Sequence, residues 1–480
     1  MCCSHGMRIA PASITVFGAG RVGLVTAACF AELGHAVVCI DRDDRRVALL
    51  QQGRLPFHEP DLAALITRQA DTARLRFTTD PDDAVAHGRV VFIAVGMPAA
   101  DDGTADLAQV LEVARDLGER IVRELLVVTR STVPVGTGAR IEQTIAAELA
   151  RRGLPDLRIE VVSNPAFLRD GHAVKDFLDP ERLVVGADDD VSLNAMLGLY
   201  APLLRRSGQW LPMRRRSAEL VPYACGALRA TRLSTLNELG LLAERLHADI
   251  DEVCRGVAAD TRLDAAPAPS CGFGGACLPR DLRALQRAAL DLDLPLQMPA
   301  AAEQVNERLK AGFGARVVQA FGGSLAGRRI ALWGLTSRPD SDDLREAPSE
   351  AVIAALVQAG AQIAAHDPFA LAAARERHVQ QPSLQFADDP LAAVDGADAL
   401  VITTAWPQFR RVDWALVQRR MRQPWVFDGC NVCDPVRMAA LGFVYRGIGR
   451  NGAEKVAATT RLAFAAALEA GRHAATLPVG

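Results

Sequence analysis

The chain has 480 residues, half of them hydrophobic, with 54 Lys and Arg against 57 Asp and Glu and a formal net charge of -3. That length exceeds one ordinary core and suggests about three domains. The near balance of charge excludes the basic footprint expected of a nucleic-acid-binding protein or of one drawn to an anionic membrane, so an anionic ligand has to be held by local groups.

The first residues, MCCSHGMRIAPAS, lack the apolar core of a signal peptide, and no run of about 18 apolar residues occurs, so a soluble, cytoplasmic protein is expected. From Ser13 the chain reads SITVFG, AGRVGLVTAACFAELG and HAVVCID: a β-rich run, a helical run and a second β-rich run. The apolar runs RVVFIAVG, ELLVVTRS, RIEVVSN and RLVVG follow, alternating with helical stretches to about Gly186. Short buried strands alternating with helices predict a mainly parallel, doubly wound sheet. Between about Trp210 and Ala300 the β-rich runs stop, and RRSAELVPYACGALRATRLSTLNELGLLAERL predicts one long helix, with Pro222 as a first-turn residue or a kink. Alternation resumes with RRIALWGL, QIAAHD, ADALVITTAW and PWVFDGCN. The expected fold is two Rossmann-like doubly wound α/β domains joined by an all-helical middle domain with a long helix. The expected boundaries are 13–205, 206–302 and 303–450, with an alanine-rich tail over 451–480.

Gly18, Gly20 and Gly23 form GxGxxG after the first strand and at the start of the first helix, and Asp41 closes the second strand. The first glycine turns the chain, the second admits a pyrophosphate to the helix N-terminus, the third lets helix pack on strand, and the acid receives ribose hydroxyls. Arg21 and Val22 lie inside this fingerprint. Asp41 favours NAD, because a carboxylate repels a 2'-phosphate; Arg42, Arg45 and Arg46 could accommodate NADP but read better as a solvated helix start.

Cysteine is sparse: ten residues, mostly single, with Cys430 and Cys433 as a lone CxxC. That is neither a disulfide framework nor a paired zinc motif, so a reducing compartment and no metal are expected. The stretch PSCGFGGACLPRDL places Cys277 after a run of glycines, which let backbone approach a ligand closely. As a bare residue such a cysteine is more often a small core side chain than a nucleophile.

Ten stretches between Ser13 and Arg450 together resemble the UDP-glucose 6-dehydrogenase and nucleotide-sugar dehydrogenase family. They include GAGRVGL, RSTVPVGT, SNPAFLRDGHAVKDFLDPERLVVG, AELVPYACGALRATRLSTLNELGLLAE, CGFGGACLPRDLRAL, PDSDDLREAP, FDGCNVCDP and IGR, and they occur in the family's order. The resemblance implies an NAD domain, a helical middle domain that makes a homodimer or higher homo-oligomer, and a UDP-sugar domain. It also implies oxidation of the C6 alcohol of a UDP-sugar to a carboxylate with two NAD, through a cysteine thiohemiacetal and thioester. By resemblance Cys277 is the thiol, Asp281 an active-site aspartate that positions water or moves protons, and Thr132 a threonine near the nicotinamide. Asp170 and Arg345 are implied at the cofactor, where Arg46, just after Asp41 in the sequence, is also expected. Phe167, Leu168, Phe273, Gly274, Arg338 and Arg262 are implied at the substrate, Arg262 reaching a neighbouring subunit.

The sequence departs from the pattern where the substrate's chemistry is served. The glutamate of SNPEFLxEG, implied as acid/base, is Ala166; the lysine and asparagine of AELIKYAxNA, implied at the oxyanion, are Pro222 and Gly226. A general acid/base group contributes typically about 10²- to 10⁴-fold and an oxyanion donor about 10²- to 10³-fold. The lysines of FPKD and GLAFKP are Arg280 and Arg338, the arginine of FDGRN is Cys430, the threonine of VGTP is Met97, and the acid and base of VTEWKEF are Ala405 and Pro407. Three readings stand: a nucleotide-sugar 6-dehydrogenase, a degraded paralogue that binds NAD or nucleotide and partners an active enzyme, and a partial enzyme that stalls as a thioester.

Overall fold

The computed structural model describes residues 11–98, 105–204, 208–261, 263 and 268–450. They form two compact units. The first comprises Met1–Thr231, Gly274–Glu303 and Pro339–Asp343, and the second Arg232–Phe273, Gln304–Arg338 and Leu344–Gly480.

The first unit is built on eight strands: β1 Ser13–Phe17, β2 Ala36–Ile40, β3 Leu75–Thr78, β4 Val90–Ile93, β5 Leu125–Thr129, β6 Ile159–Ser163, β7 Arg182–Gly186 and β8 Gln209–Met213. Their order is β3-β2-β1-β4-β5-β6-β7-β8, parallel throughout except between β6 and β7. The order reverses direction between β1 and β4, where Ile14 pairs with Val37 on one side and Val90 on the other. A reversal of that kind opens a crevice beyond the carboxyl ends of the strands, the usual ligand position in such sheets. Side chains alternate between two cores: Val16, Val37 and Cys39 pack on one face with Phe30 and Phe92, and Phe17, Val38 and Ile40 on the other with Val110 and Ile141.

The second unit carries β9 Arg329–Trp333, β10 Gln362–His366, β11 Leu384–Phe386, β12 Ala399–Ile402, β13 Trp425–Asp428 and β14 Val444–Gly447. Their order is β11-β10-β9-β12-β13-β14, all parallel. Here too each face has its own core, one around Phe313 and Leu332 and the other around Trp333, Trp406 and Phe409.

The apolar runs of the sequence located ten of these strands and missed β3, β8, β11 and β14, which are the four sheet edges. Interior parallel strands are covered on both faces and read as continuous apolar runs, whereas edges are half solvated and short. LRFT and VYRG alternate buried and exposed residues, and QWLPM carries Pro212, which only an edge tolerates. The stretch after Trp210 that reads as purely helical therefore begins with a strand of the first sheet.

Helices dominate from there. The long helix runs Arg215–Leu246, followed by Ile250–Ala258, Leu278–Leu290 and Gln297–Ala320. Pro222 lies inside the long helix, two turns past its start. Its ring removes the N–H that would bond one turn back and crowds that carbonyl, at a cost of about 3 kcal/mol. Pro222→Ala is therefore expected to stabilise the fold by roughly 2–3 kcal/mol, read as a higher denaturant midpoint with an unchanged m value. An unchanged midpoint would show that the helix has absorbed the kink.

Candidate active site

The glycine fingerprint has the geometry that a pyrophosphate needs. Gly18 turns at φ 101°, and its N–H bonds the carbonyl of Ile40 at 2.8 Å; a Cβ there would lie 2.7 Å from the Ala94 carbonyl oxygen. Gly20 is the N-cap of the helix Arg21–Glu32, and a Cβ on it would meet nothing within 4 Å. This is open space in front of unpaired backbone N–H groups at a helix start. A Cβ on Gly23 would overlap the carbonyl oxygen of Gly18. Gly23→Ala is accordingly expected to force helix from strand and to weaken NAD binding by about 100-fold or more, measured by titration calorimetry; an affinity within threefold of the parent would show that the cradle yields.

Asp41 stands at the end of β2. Its Oδ2 accepts from the Ala19 N–H at 2.7 Å and Arg46 Nη1 at 2.9 Å, and its Oδ1 from the Asp43 N–H at 3.0 Å. The carboxylate is 8% exposed, so an edge of it still faces outward. NAD fits these residues: the cradle leaves room for phosphates before the helix N-terminus, and Asp41 keeps an edge that could meet a ribose. The second unit has a look-alike that is closed. Asp367 after β10 is fully buried, its Oδ2 taken by the Leu335 N–H at 2.7 Å and Trp406 Nε1 at 3.2 Å, its Oδ1 by the N–H groups of Phe369 and Ala370. That acid serves the loop after β9 and has no face left for a ribose.

Arg21 does not extend toward the cradle. It donates to the His58 carbonyl at 2.6 Å and pairs with Glu59 at 3.1 Å, Asp170 at 3.3 Å and Asp342 at 2.8 Å, with the Phe57 ring 4.5 Å away. Glu59 is the centre of this cluster. Only 4% exposed, it accepts the N–H groups of Gly171 and Ala173 at 3.0 and 2.8 Å and so pins the loop that follows β6. Val22 rests partly buried on the adjoining core.

That loop, SNPAFLRDG, is fixed at its other end by Asn164. Its Nδ2 bonds the Val184 carbonyl at 2.9 Å, and its Oδ1 accepts from Arg130 at 2.8 Å and the Tyr200 hydroxyl at 2.6 Å. Ala166, Phe167 and Leu168 are half-buried beyond it, Leu168 against the core and Phe167 under the Arg182 guanidinium at 4.5 Å. Arg182 in turn reaches the Cys225 sulfur at 3.8 Å, beside Gly226 on the long helix. Thr132 is half-buried in the loop after β5, where the N–H groups of Arg130 and Ser131 bond the Ile93 carbonyl and the Ser131 hydroxyl bonds the Val95 carbonyl at 2.7 Å. It thus belongs to the end of the sheet that carries the glycine cradle.

Cys277 is exposed and is the N-cap residue of the helix Leu278–Leu290, with Pro279 in the first turn. Unpaired N–H groups and the helix dipole at such a position favour a thiolate. Arg280 and Asp281 stand three and four residues on, the spacing that shares a helix face. Asp281 Oδ1 receives both Arg280 Nε at 3.0 Å and Nη2 at 2.8 Å, while Arg280 Nη1 approaches the Met97 carbonyl at 3.4 Å. Burial pushes the Asp281 carboxyl above its ordinary range, and the Arg280 charge only partly opposes it. Burial would weaken the Arg280 cation, but Asp281 first and the Cys277 sulfur next outweigh that and hold its proton. Tyr223 is pushed up by burial and then by the Asp281 charge.

The opposing face of the long helix carries Pro222 and Gly226, one turn apart. A Cβ on Gly226 would lie 3.5 Å from Leu278 Cδ1, so this donor-free face abuts the first turn beside Cys277. Glu219, one turn earlier, accepts the Gly136 and Gly138 N–H groups at 2.6 and 2.8 Å, and burial raises its carboxyl.

The first unit therefore gathers Gly18, Gly20, Arg21, Val22, Gly23, Asp41, Arg46, Thr132, Phe167, Leu168, Asp170, Gly274, Cys277 and Asp281. Phe273, Arg338 and Arg345 belong to the second unit. There Asn306, 1% exposed, accepts the Phe273 N–H at 2.7 Å and donates to its carbonyl at 3.0 Å; Arg338 is half-buried and Arg345 exposed. Cys430 stands against Cys271: a hydrogen bond to that thiol, then burial, raises its sulfur. Arg262 lies outside the described residues, as do the tail 451–480 and part of the loop after Met97. Sequence reading missed Glu59, Asp342 and Asp343. Only HEP in a polar loop marks the first, and the other two stand inside PDSDDLREAP, where only Arg345 was singled out.

Comparison with known proteins settles the ancestry of this arrangement. Three domain profiles of the UDP-glucose/GDP-mannose dehydrogenase family match: the NAD binding domain over residues 12–204, the central domain over 216–308 and the UDP binding domain over 331–435. The chain belongs to this family. A UDP-glucose 6-dehydrogenase of Pseudomonas aeruginosa is 45% identical over 91% of this chain and 97% of its own length. Another from Rhizobium meliloti is 40% identical over 91% of this chain and 99% of its own. Among solved structures, a UDP-glucose dehydrogenase from the hyperthermophilic archaeon Pyrobaculum islandicum superposes with a TM-score of 0.84 at 36% identity, over 93% of this chain and 99% of that one. The protein is an NAD-dependent oxidoreductase with a UDP-sugar-binding domain. Among the described residues no helix is long and apolar enough to cross a membrane, and no group of three or more His, Cys, Asp or Glu is placed to hold a metal.

Proposed function

We propose that the protein oxidises UDP-glucose to UDP-glucuronate, two NAD per sugar, with Cys277 as covalent nucleophile. The observation that carries this is Cys277 itself: an exposed thiol at a helix N-terminus, with a cation and a carboxyl on its face, in the same unit as the dinucleotide cradle. NAD, when bound, takes up a hydride at each of the two oxidations.

The alcohol first loses a proton and a hydride to become an aldehyde. The Cys277 thiolate adds to the aldehyde carbon, and the alkoxide so formed expels a second hydride to leave a thioester. Water then adds, the carbon–sulfur bond breaks, and the carboxylate leaves with the thiol restored. Arg280 balances negative charge on the sulfur and on the alkoxide, and Asp281, its carboxyl lifted by burial, accepts and returns the proton of the attacking water. Thr132 orients groups near the reacting carbon. Gly18, Gly20, Gly23 and Asp41 hold the cofactor, while Arg46, Asp170 and Arg345 complete its surroundings. Arg21 serves by holding Glu59 and Asp170. By the family resemblance Phe167, Leu168, Phe273, Gly274 and Arg338 are assigned to the sugar nucleotide, and Arg262 to that of a neighbouring subunit.

Leu228, Leu239, Leu242 and Leu246 are exposed along the long helix. They suit a second copy, and exposed apolar side chains of this kind are what a homodimer through the middle segment, 206–302, would cover.

A second reading is favoured by Ala166, Pro222 and Gly226, none of which donates a side-chain hydrogen bond or moves a proton: a chain that binds NAD or nucleotide and partners an active enzyme, or that stalls at the thioester. The deciding experiment mixes the purified protein with UDP-glucose and NAD and counts NADH per sugar and per site. Two NADH per sugar with steady turnover supports the dehydrogenase. A single burst that leaves Cys277 acylated identifies the stalled enzyme, and NAD binding without NADH identifies the partner protein.

A further inference from the structure

The segment Pro339–Asp343, PDSDD, packs with the first unit although its sequence neighbours on both sides belong to the second. Three contacts seat it. Gly171 lies so close that a Cβ would overlap the Asp340 carbonyl. Asp342 takes Arg21 Nη2 at 2.8 Å and the His58 N–H at 3.1 Å. Asp343, 6% exposed, accepts the Ala276 N–H on its Oδ2 at 2.9 Å, while its own N–H bonds the hydroxyl of the fully buried Ser341 at 3.1 Å.

Ala276 directly precedes Cys277, so the orientation of its peptide bears directly on where the thiol stands. Gly272 and Gly275, in the loop leading to it, adopt φ of 128° and 92°. Glycines in that region leave the peptide free to turn. The one side-chain bond shown on the Ala276 N–H comes from Asp343, whose backbone is itself anchored by Ser341.

We propose that Asp343 is a positioning residue for the Cys277 nucleophile, orienting the Gly275–Ala276 peptide and through it the sulfur. The inference rests on the nucleophilic role proposed above. A misplacement of about 1 Å at a reacting atom can cost on the order of 10²-fold, so the effect should fall on turnover more than on nucleotide affinity.

The test compares Asp343→Asn with Asp343→Ala. Both remove the charge, but the amide oxygen can still accept the Ala276 N–H, so a difference between them reports the hydrogen bond. At one pH, the rate of iodoacetamide labelling of Cys277, mapped by mass spectrometry, is expected to differ at least about fivefold between the two variants. Correspondingly, kcat should fall about tenfold or more in Asp343→Ala relative to Asp343→Asn, with KM and NAD affinity within about threefold. If Asp343→Ala does not accumulate, Asp343→Glu replaces it, because the added methylene displaces the acceptor. Equal labelling and equal kcat in the variants compared would overturn the proposal. Labelling needs no sugar, so a labelling difference in a protein that makes no NADH from UDP-glucose keeps the positioning role and removes the substrate assignment.

Discussion

Cys277→Ala is expected to lower steady NADH formation from UDP-glucose by roughly 10³-fold or more, since removal of a covalent nucleophile leaves only binding and electrostatics. Without the thiol, an aldehyde has no way to become a thiohemiacetal and surrender its second hydride. The variant should fold normally: Cys277 is exposed, and surface substitutions of this kind usually stay within about 0.5 kcal/mol. Its NAD affinity should also hold, because the cradle is made by Gly18, Gly20 and Asp41. Cys277→Ser should fare little better, the hydroxyl being a far weaker nucleophile at neutral pH. Activity above a tenth of the parent in either variant would end the covalent mechanism.

Restoring the family's groups should have the opposite effect. Ala166→Glu, Pro222→Lys and Gly226→Asn together are expected to raise kcat about 10²-fold or more, the lower range of one acid/base group or one oxyanion donor. The three gains should not multiply, because groups that act as a unit are far from additive. Single restorations should therefore show little until all three are present. The structure admits the changes. Gly226 has ordinary contact distance to Leu278, Ala166 is half-buried in a loop pinned at both ends, and Pro222→Lys returns a missing helical N–H. A kcat within threefold of the parent would mean that the three positions are not deficits and that Arg280 and Asp281 suffice.

The cofactor site was legible because its parts are close in sequence and each obeys a local rule. Gly18 and Gly23 have no room for a Cβ, Gly20 faces open space, and Asp41 ends the next strand. Cys277 was legible only through its motif, since composition alone leaves a cysteine as a core residue. Its supports were not: Glu59 is one acid in a polar loop, and Asp343 one of several in PDSDD. Neither carries a periodicity or a spacing to its partner, because the partner is brought by the fold. Arg21 shows the converse, a residue inside the fingerprint whose guanidinium is claimed by three carboxylates from distant segments.

By itself the sequence determined the buried strands, the long helix and the dinucleotide fingerprint, since burial on both faces and tight glycine turns leave local signatures. The tertiary structure alone decided the four edge strands, the saturation of Asp367 against the open edge of Asp41, and the anchoring by Glu59, Asn164 and Asp343 of the loops that carry the candidate site residues. Edge strands are half solvated and mimic loops, and a hydrogen bond between remote segments depends on where the chain brings them, which no local pattern records.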